Sequence, residues 1–217
     1  MKRGSKAKII LIITLVAILA GMIAYYLLVM KSEDKNGIEK NETSSLEYSN
    51  TDDLHIDMSS WNYDEDNNVY WQIGIVYCSN PATKEYESMG IYVPGDYFDS
   101  EKNDDGTYTC TVNEDAEIGE YTASTAPIVM PINTAGYSAQ SAPTSYSYNG
   151  PSDYMEAGFI YVYSGARGRN NGDDYSGGAP WGVTDFKAAI RYLRYNSSDL
   201  PGDTENIFTF GHSGGGA

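Results

Sequence analysis

The segment 207–215 constrains the fold of this 217-residue chain more than any other. A short apolar run, 207–210, leads directly into Gly211-His212-Ser213-Gly214-Gly215, which has the pattern Gly-x-Ser-x-Gly. Glycines flank a serine in this way where a sharp turn from strand to helix leaves no room for side chains, and the turn lifts the hydroxyl above the sheet edge. The pattern predicts that Ser213 is a nucleophile. The competing interpretation is a flexible glycine-rich loop.

The residues before this motif predict alternating strands and a helix. Two continuous apolar runs, 127–132 and 158–163, are typical of strands buried on both faces of a parallel sheet. Between Trp181 and Arg194 the apolar spacing changes to three and four, which predicts a helix that begins after Pro180. Its predicted apolar face contains Val183, Phe186, Ile190 and Leu193.

Strand, helix and strand in this order form a βαβ unit, which indicates an α/β protein. Upstream, residues 70–77, 91–93 and 108–112 have the alternation and turn signals of antiparallel strands. Together with the serine motif, the pattern predicts the amino-terminal half of an α/β-hydrolase fold over residues 67–217. Antiparallel strands would come first and a parallel sheet would follow.

The first 66 residues differ in character from the rest. Residues 9–30 carry no charge and are long enough to cross a bilayer as a helix. Basic residues precede this stretch and acidic ones follow it, so residues 1–8 are expected in the cytoplasm and the hydrolase domain outside the cell. A cleaved signal peptide, with Ala17 and Ala20 near its end, is the alternative and would make the domain secreted. Residues 31–66 are polar and predict a linker.

Charge and cysteine content exclude several classes of partner. The formal net charge is −16, with 30 acidic residues, and such a surface repels nucleic acid. The two cysteines, Cys78 and Cys110, are too few for a metal framework. Either they pair as a disulfide or they are two buried thiols that pack as small apolar groups.

A serine nucleophile needs an oxyanion hole. The backbone N–H of Gly214, directly after the serine, is one expected donor. The loop 133–137, which follows an earlier buried strand, is expected to supply the other through Thr134 or, as second choice, Ala135.

The serine also needs a base, and neither histidine suits this role. His212 adjoins Ser213 in a turn where neighbouring side chains diverge, and His55 falls in the predicted linker. In this fold the acid and then the histidine follow the serine along the chain. We therefore expect both partners beyond Ala217, and the chain to be an inactive part of a longer protein.

Four segments carry a more specific resemblance. They are Gly165-Ala166-Arg167-Gly168-Arg169, Gly177-Gly178-Ala179-Pro180-Trp181-Gly182-Val183-Thr184-Asp185, Ile190-Arg191-Tyr192-Leu193-Arg194-Tyr195-Asn196 and Gly211-His212-Ser213-Gly214-Gly215-Gly216-Ala217. They resemble bacterial tannases and feruloyl-esterase-like α/β hydrolases, over about residues 69–217. The resemblance implies hydrolysis of a small-molecule aromatic-acid or similar carboxylic ester, with no metal or organic cofactor. No residue matches the family's acid or histidine.

Two other functions remain open. A serine peptidase of the same fold would use the same turn, and a surface binding protein would keep the fold without catalysis. Arg167 and Arg169 allow two roles as well. They could bind a carboxylate or galloyl group, or they could pair with Asp185 or backbone carbonyls and fix their loop.

Overall fold

A computed structural model describes residues 53–170 and 180–216. Within these residues, two α-helices, α1 (Ser152–Glu156) and α2 (Trp181–Tyr195), accompany ten strands. In chain order the strands are β1 (Asn62–Asp64), β2 (Val69–Val76), β3 (Ser88–Pro94), β4 (Phe98–Lys102), β5 (Tyr108–Val112), β6 (Glu117–Ile118), β7 (Tyr121–Thr122), β8 (Ile128–Ile132), β9 (Ile160–Ser164) and β10 (Ile207–Gly211).

Six strands form the main sheet, in the order β1-β2-β3-β9-β8-β10. The first three are antiparallel neighbours, and β3 pairs with β9 in the same sense. Strand β8 is parallel to both β9 and β10. The chain thus passes from β8 to β9 on one side and returns through α2 to β10 on the other side. This reversal brings the carboxyl ends of β8 and β10 together.

The main sheet buries side chains on both faces. Along β8, Ile128 and Met130 belong to one buried cluster while Val129 belongs to the other, as the alternation of a strand requires. Helix α2 contributes Phe186, Ala189 and Leu193 to the first cluster. These spacings of three and four hold the crossover helix in the apolar core.

The predicted apolar face of α2 is partly wrong. Phe186 and Leu193 are buried, Ile190 is half-buried, and Val183 is 69% exposed. The buried face of α2 is rotated toward Asp185, because the Asp185 carboxylate pairs with the buried Arg167 side chain.

The predicted linker extends too far toward the carboxyl terminus. Residues 62–64 form β1 and pair with β2, and Trp61 is fully buried. The N–H of Ile56 donates to the Asn196 side chain (2.9 Å), which anchors this segment to the end of α2. Although the segment is polar in composition, its Ile56 and Trp61 side chains belong to the apolar core.

The predicted fold class needs correction. The described residues are mostly strands with two helices, because β1–β7 are joined by hairpins and turns and only β9 and β10 are linked by a long crossover helix. Strands β4 and β5 form a separate hairpin, as do β6 and β7. Alternation of strand and helix is therefore confined to residues 128–211, where β8, α1, β9, α2 and β10 follow one another.

The transmembrane helix is not supported either. The stretch 9–30 lies outside the described residues. None of the helices within 53–170 and 180–216 combines the length and apolar character that a bilayer crossing requires. The extracellular location depends on the same stretch and stays a prediction.

Candidate active site

The turn after β10 gives Ser213 an uncommon backbone conformation. Strand β10 ends at Gly211, His212 is extended, and Ser213 has a φ of 58°. This left-handed conformation costs a residue with a side chain about 1–2 kcal/mol, and such strain is concentrated at functional positions. Ser213 is exposed, so the turn presents its hydroxyl to solvent.

The glycines after Ser213 are required because the backbone of β8 and its loop lies against the turn. A methyl group at Gly215 would overlap the carbonyl oxygen of Ile132. A methyl group at Gly214 would lie 2.5 Å from the carbonyl oxygen of Thr134. The Gly-x-Ser-x-Gly spacing thus reflects close backbone packing as well as the turn itself.

The loop after β8 touches this turn directly. The Thr134 hydroxyl donates to the Gly214 carbonyl (3.2 Å), and the Tyr137 N–H donates to the Thr134 carbonyl (2.9 Å). Thr134, Ala135 and Gly214, which we selected from the sequence as oxyanion donors, therefore lie in two adjoining turns. Within the described residues, the N–H groups of Ala135 and Gly214 have no hydrogen-bond acceptor.

Sheet topology explains why residues 80 positions apart meet here. Gly211 at the end of β10 pairs with Ile132 at the end of β8. The chain runs from β8 to β9 on one side of β8, and then from β9 across to β10 on the other side. In parallel sheets, ligands usually bind in a crevice at such a reversal. The loop 133–137 and the turn 212–215 lie against each other at the position where such a crevice would open, a position hereafter called the crevice.

The two histidines lie apart from the Ser213 hydroxyl. The His55 ring packs at a tilt against the Tyr195 ring with ring centroids 4.8 Å apart, and its Nε2 lies 3.0 Å from the Tyr195 hydroxyl. Tyr195 ends α2, so this pair lies toward the amino ends of β9 and β10, opposite the serine. His212 is exposed. Within the described part of the chain, neither histidine is hydrogen-bonded to Ser213.

Arg167 is a structural anchor. Its Nε and Nη2 donate to the two carboxylate oxygens of Asp185 (2.9 and 2.7 Å), and its backbone N–H donates to the same carboxylate (2.8 Å). Glu87 lies 3.4 Å from the guanidinium, and the Trp181 ring stacks 4.6 Å from it. This buried cluster fixes the loop after β9 to α2, as one of our two interpretations proposed.

Arg169 contacts the loop 133–137 instead. Its backbone N–H donates to the Tyr137 carbonyl (3.0 Å), and its guanidinium lies beside Gly136. Gly136 and Tyr137 both have positive φ values, 60° and 63°. Tyr137 is 63% exposed at the rim of the crevice.

The thiols are unpaired and do not provide a second nucleophile. Cys78 and Cys110 are free. Burial, followed by the nearby charges of Glu87 and Asp185, raises the pKa of Cys78 to about 11, so this thiol is neutral at neutral pH. In residues 53–170 and 180–216 no cluster of three metal-ligating side chains is present.

The sequence analysis missed Gln140. Its side chain is 97% buried and its amide bonds to three backbone groups beside the crevice. A single glutamine in a polar stretch of serines and prolines gives no signal from which this role could be predicted.

Comparison with solved structures shows that this chain is similar to bacterial tannases. The structure of Fusobacterium nucleatum tannase matches with 29% identity and a TM-score of 0.61, over 76% of this chain and 34% of that one. Tannase from Lactobacillus plantarum matches with 29% identity and a TM-score of 0.53, over 68% of this chain and 30% of the other. A tannin acyl hydrolase bound to ethyl gallate matches with 31% identity and a TM-score of 0.53, over 68% and 31%.

These matches confirm the resemblance to bacterial tannases that the sequence segments indicated. The chain spans about a third of the length of these structures. No family model matches the sequence, and comparison with curated proteins gave no match.

Proposed function

Because this chain is tannase-like in structure, we propose that the protein hydrolyses a carboxylic ester with Ser213 as its nucleophile. The observation that supports this most directly is the left-handed Ser213 at the carboxyl end of β10, adjoining the loop after β8. A strained, exposed serine at a topological reversal of a parallel sheet is suited to attack on a bound carbonyl.

In the proposed reaction, Ser213 Oγ attacks the ester carbonyl carbon and gives its proton to a base. The N–H of Gly214 and the N–H of Ala135 or Thr134 stabilise the oxyanion that forms. The bond to the alcohol oxygen then breaks, and the protonated base returns its proton to the departing alcohol. Water, activated by the same base, releases the acid from Ser213. The proton acceptor is a group other than His55 and His212.

The proposed substrate is a small ester of an aromatic hydroxy acid. Matching tannin acyl hydrolases were solved with ethyl gallate and with 3,4-dihydroxybenzoate. By extension we assign such an acyl group to this crevice.

The test uses full-length protein and a panel of alkyl esters of gallate, dihydroxybenzoate and benzoate. Ser213→Ala is expected to lower kcat/KM by at least about a thousandfold, because removal of a catalytic serine leaves only residual binding effects. Ser197→Ala, at an exposed serine after α2, is the matched control and should retain wild-type turnover. Wild-type rates in Ser213→Ala would remove this residue from the mechanism.

A further inference from the structure

Direct pairing between β8 and β9 stops before the crevice. The two strands are in register at Ile128 with Ile160 and at Val129 with Tyr161, and not beyond. The last residues of β8 and β9 are therefore not paired with each other next to the start of the loop 133–137, and Pro131 has no backbone N–H that could donate.

The Gln140 side chain occupies this gap. Its Nε2 donates to the Ser164 carbonyl at the end of β9 (2.7 Å) and to the Pro131 carbonyl in β8 (3.2 Å). Its Oε1 accepts from the N–H of Asn133, the first residue of the loop (2.5 Å). One amide thus replaces the missing ladder bonds between the strands and holds the start of the loop.

The backbone of Gln140 is fixed independently of its side chain. Its N–H donates to the Ala166 carbonyl (2.9 Å), and the Ala166 N–H donates back to the Gln140 carbonyl (2.8 Å). Ala166 adjoins Arg167, whose side chain is paired with Asp185. The amide is therefore presented from a rigid support, and only 3% of Gln140 is exposed.

We propose that Gln140 is a positioning residue for ester hydrolysis, which sets the place of the 133–137 loop and hence of its oxyanion donors relative to Ser213. This inference rests on the proposed function. Only a neutral primary amide both donates twice to carbonyl oxygens and accepts once from an N–H at this spot.

The test is Gln140→Glu in the full-length protein, with ester hydrolysis measured from pH 5 to pH 8. An ionised carboxylate would face the Pro131 and Ser164 carbonyls and displace the loop. Misplaced oxyanion donors lower kcat rather than binding, so we expect kcat to fall at least about tenfold at pH 8 with KM changed less than about threefold. Protonation of the buried carboxyl restores one donor, so the ratio of variant to wild-type kcat should rise as the pH falls.

Gln72→Glu is the matched control. Gln72 is also buried, 8% exposed, and its Nε2 also donates to backbone carbonyls, those of Asp57 and Ser60, away from the crevice. Gln72→Glu should lower thermal stability, and the ratio of its kcat to the wild-type kcat should stay near one at every pH. Should Gln140→Glu not fold, Gln140→Met serves instead, with the same loss in kcat and no dependence of the ratio on pH.

Equal kcat in wild type and both Gln140 variants would overturn the positioning role while leaving Ser213 chemistry intact. Parallel losses in the Gln140 and Gln72 variants would also overturn it, since the effect would then be general destabilisation. An inactive wild type, with no labelling of Ser213 by a fluorophosphonate, would instead overturn the proposed function.

Discussion

Tyr137 has a strained backbone in the loop that contacts the Ser213 turn. Its φ of 63° is left-handed, yet its side chain is largely exposed and buries little apolar surface. The conformation is held by the hydrogen bond of its N–H to Thr134 and by that of the Arg169 N–H to its carbonyl. The strain is thus maintained by the two hydrogen-bonded segments around it, as expected where backbone geometry serves a site.

Tyr137→Gly should therefore be more stable than Tyr137→Ala, by about 1 kcal/mol, because glycine adopts positive φ freely and alanine does not. Urea unfolding of the two variants measures the difference. Lys187, exposed in the interior of α2, is the matched control, since there the Gly variant should be the less stable by about 1 kcal/mol. The same sign at both positions would contradict strain at Tyr137.

The pair of turns, 133–137 and 212–215, behaves as one packed unit. A methyl group added at Gly214 would lie 2.5 Å from the Thr134 carbonyl oxygen and 2.6 Å from the Tyr137 backbone nitrogen. Both atoms are backbone, which cannot move aside without displacing the loop.

Gly214→Ala should separate the two turns, destabilise the protein by about 1–3 kcal/mol as overpacking does, and abolish most ester hydrolysis. Gly150→Ala is the control, since an added methyl group there meets nothing closer than the Tyr161 hydroxyl at 3.9 Å. Thermal unfolding and turnover of both variants check this. An active, stable Gly214→Ala protein would show that the turns are not held in contact.

The link between the loop after β9 and helix α2 depends on a buried ion pair. Asp185→Ala leaves Arg167 buried with an incomplete set of partners, and we expect a loss of about 3–5 kcal/mol in unfolding free energy. Glu205→Ala removes the exposed partner of Arg194, 3.7 Å away, and should cost less than about 1 kcal/mol. Chemical denaturation distinguishes the two; similar losses would refute the anchoring role.

The elements nearest the serine could be predicted from sequence because apolar patterning and glycine spacing act locally. Strands at 128–132 and 207–211 and the helix Trp181–Tyr195 lie within a few residues of the predicted bounds. Strand β1 could not, since its three residues are polar or aromatic and only partly buried, and the core residues of this segment, Ile56 and Trp61, precede it amid polar neighbours. The bridging role of Gln140 follows from where β8 and β9 part, which is a property of the assembled sheet.

Several buried acidic groups of high pKa determine how the whole molecule responds to alkali. Burial raises the pKa of Cys110, Tyr92 and Tyr97 to about 12, and it contributes most to the value of about 11 at Cys78. Below the ordinary thiol pKa these groups are neutral in both the folded and the unfolded protein. Above it the unfolded chain releases protons that the folded protein retains.

Stability should therefore change little between pH 7 and about pH 8.5 and fall as the pH rises from there toward 12. Urea titrations between pH 7 and pH 10.5 measure this decline. Cys110→Ala should lower stability overall and flatten the first part of the decline, from about pH 8.5 to 10, where thiols titrate before tyrosines. An unchanged slope in that variant would show that Cys110 titrates alike in both states.

The distance along the chain between the loop 133–137 and the turn 212–215 also affects how the protein folds. The β8–β10 pairing, and with it the Thr134 contact to Gly214, closes a loop of about 80 residues that must first be spanned by β9 and α2. Closing so long a loop is entropically costly, and pairings of high sequence separation form slowly. The hairpins β2–β3 and β4–β5 need no such closure. During refolding, Ser213 reactivity should consequently appear after the burial of Trp61, so the turn 212–215 reports on the final steps of assembly.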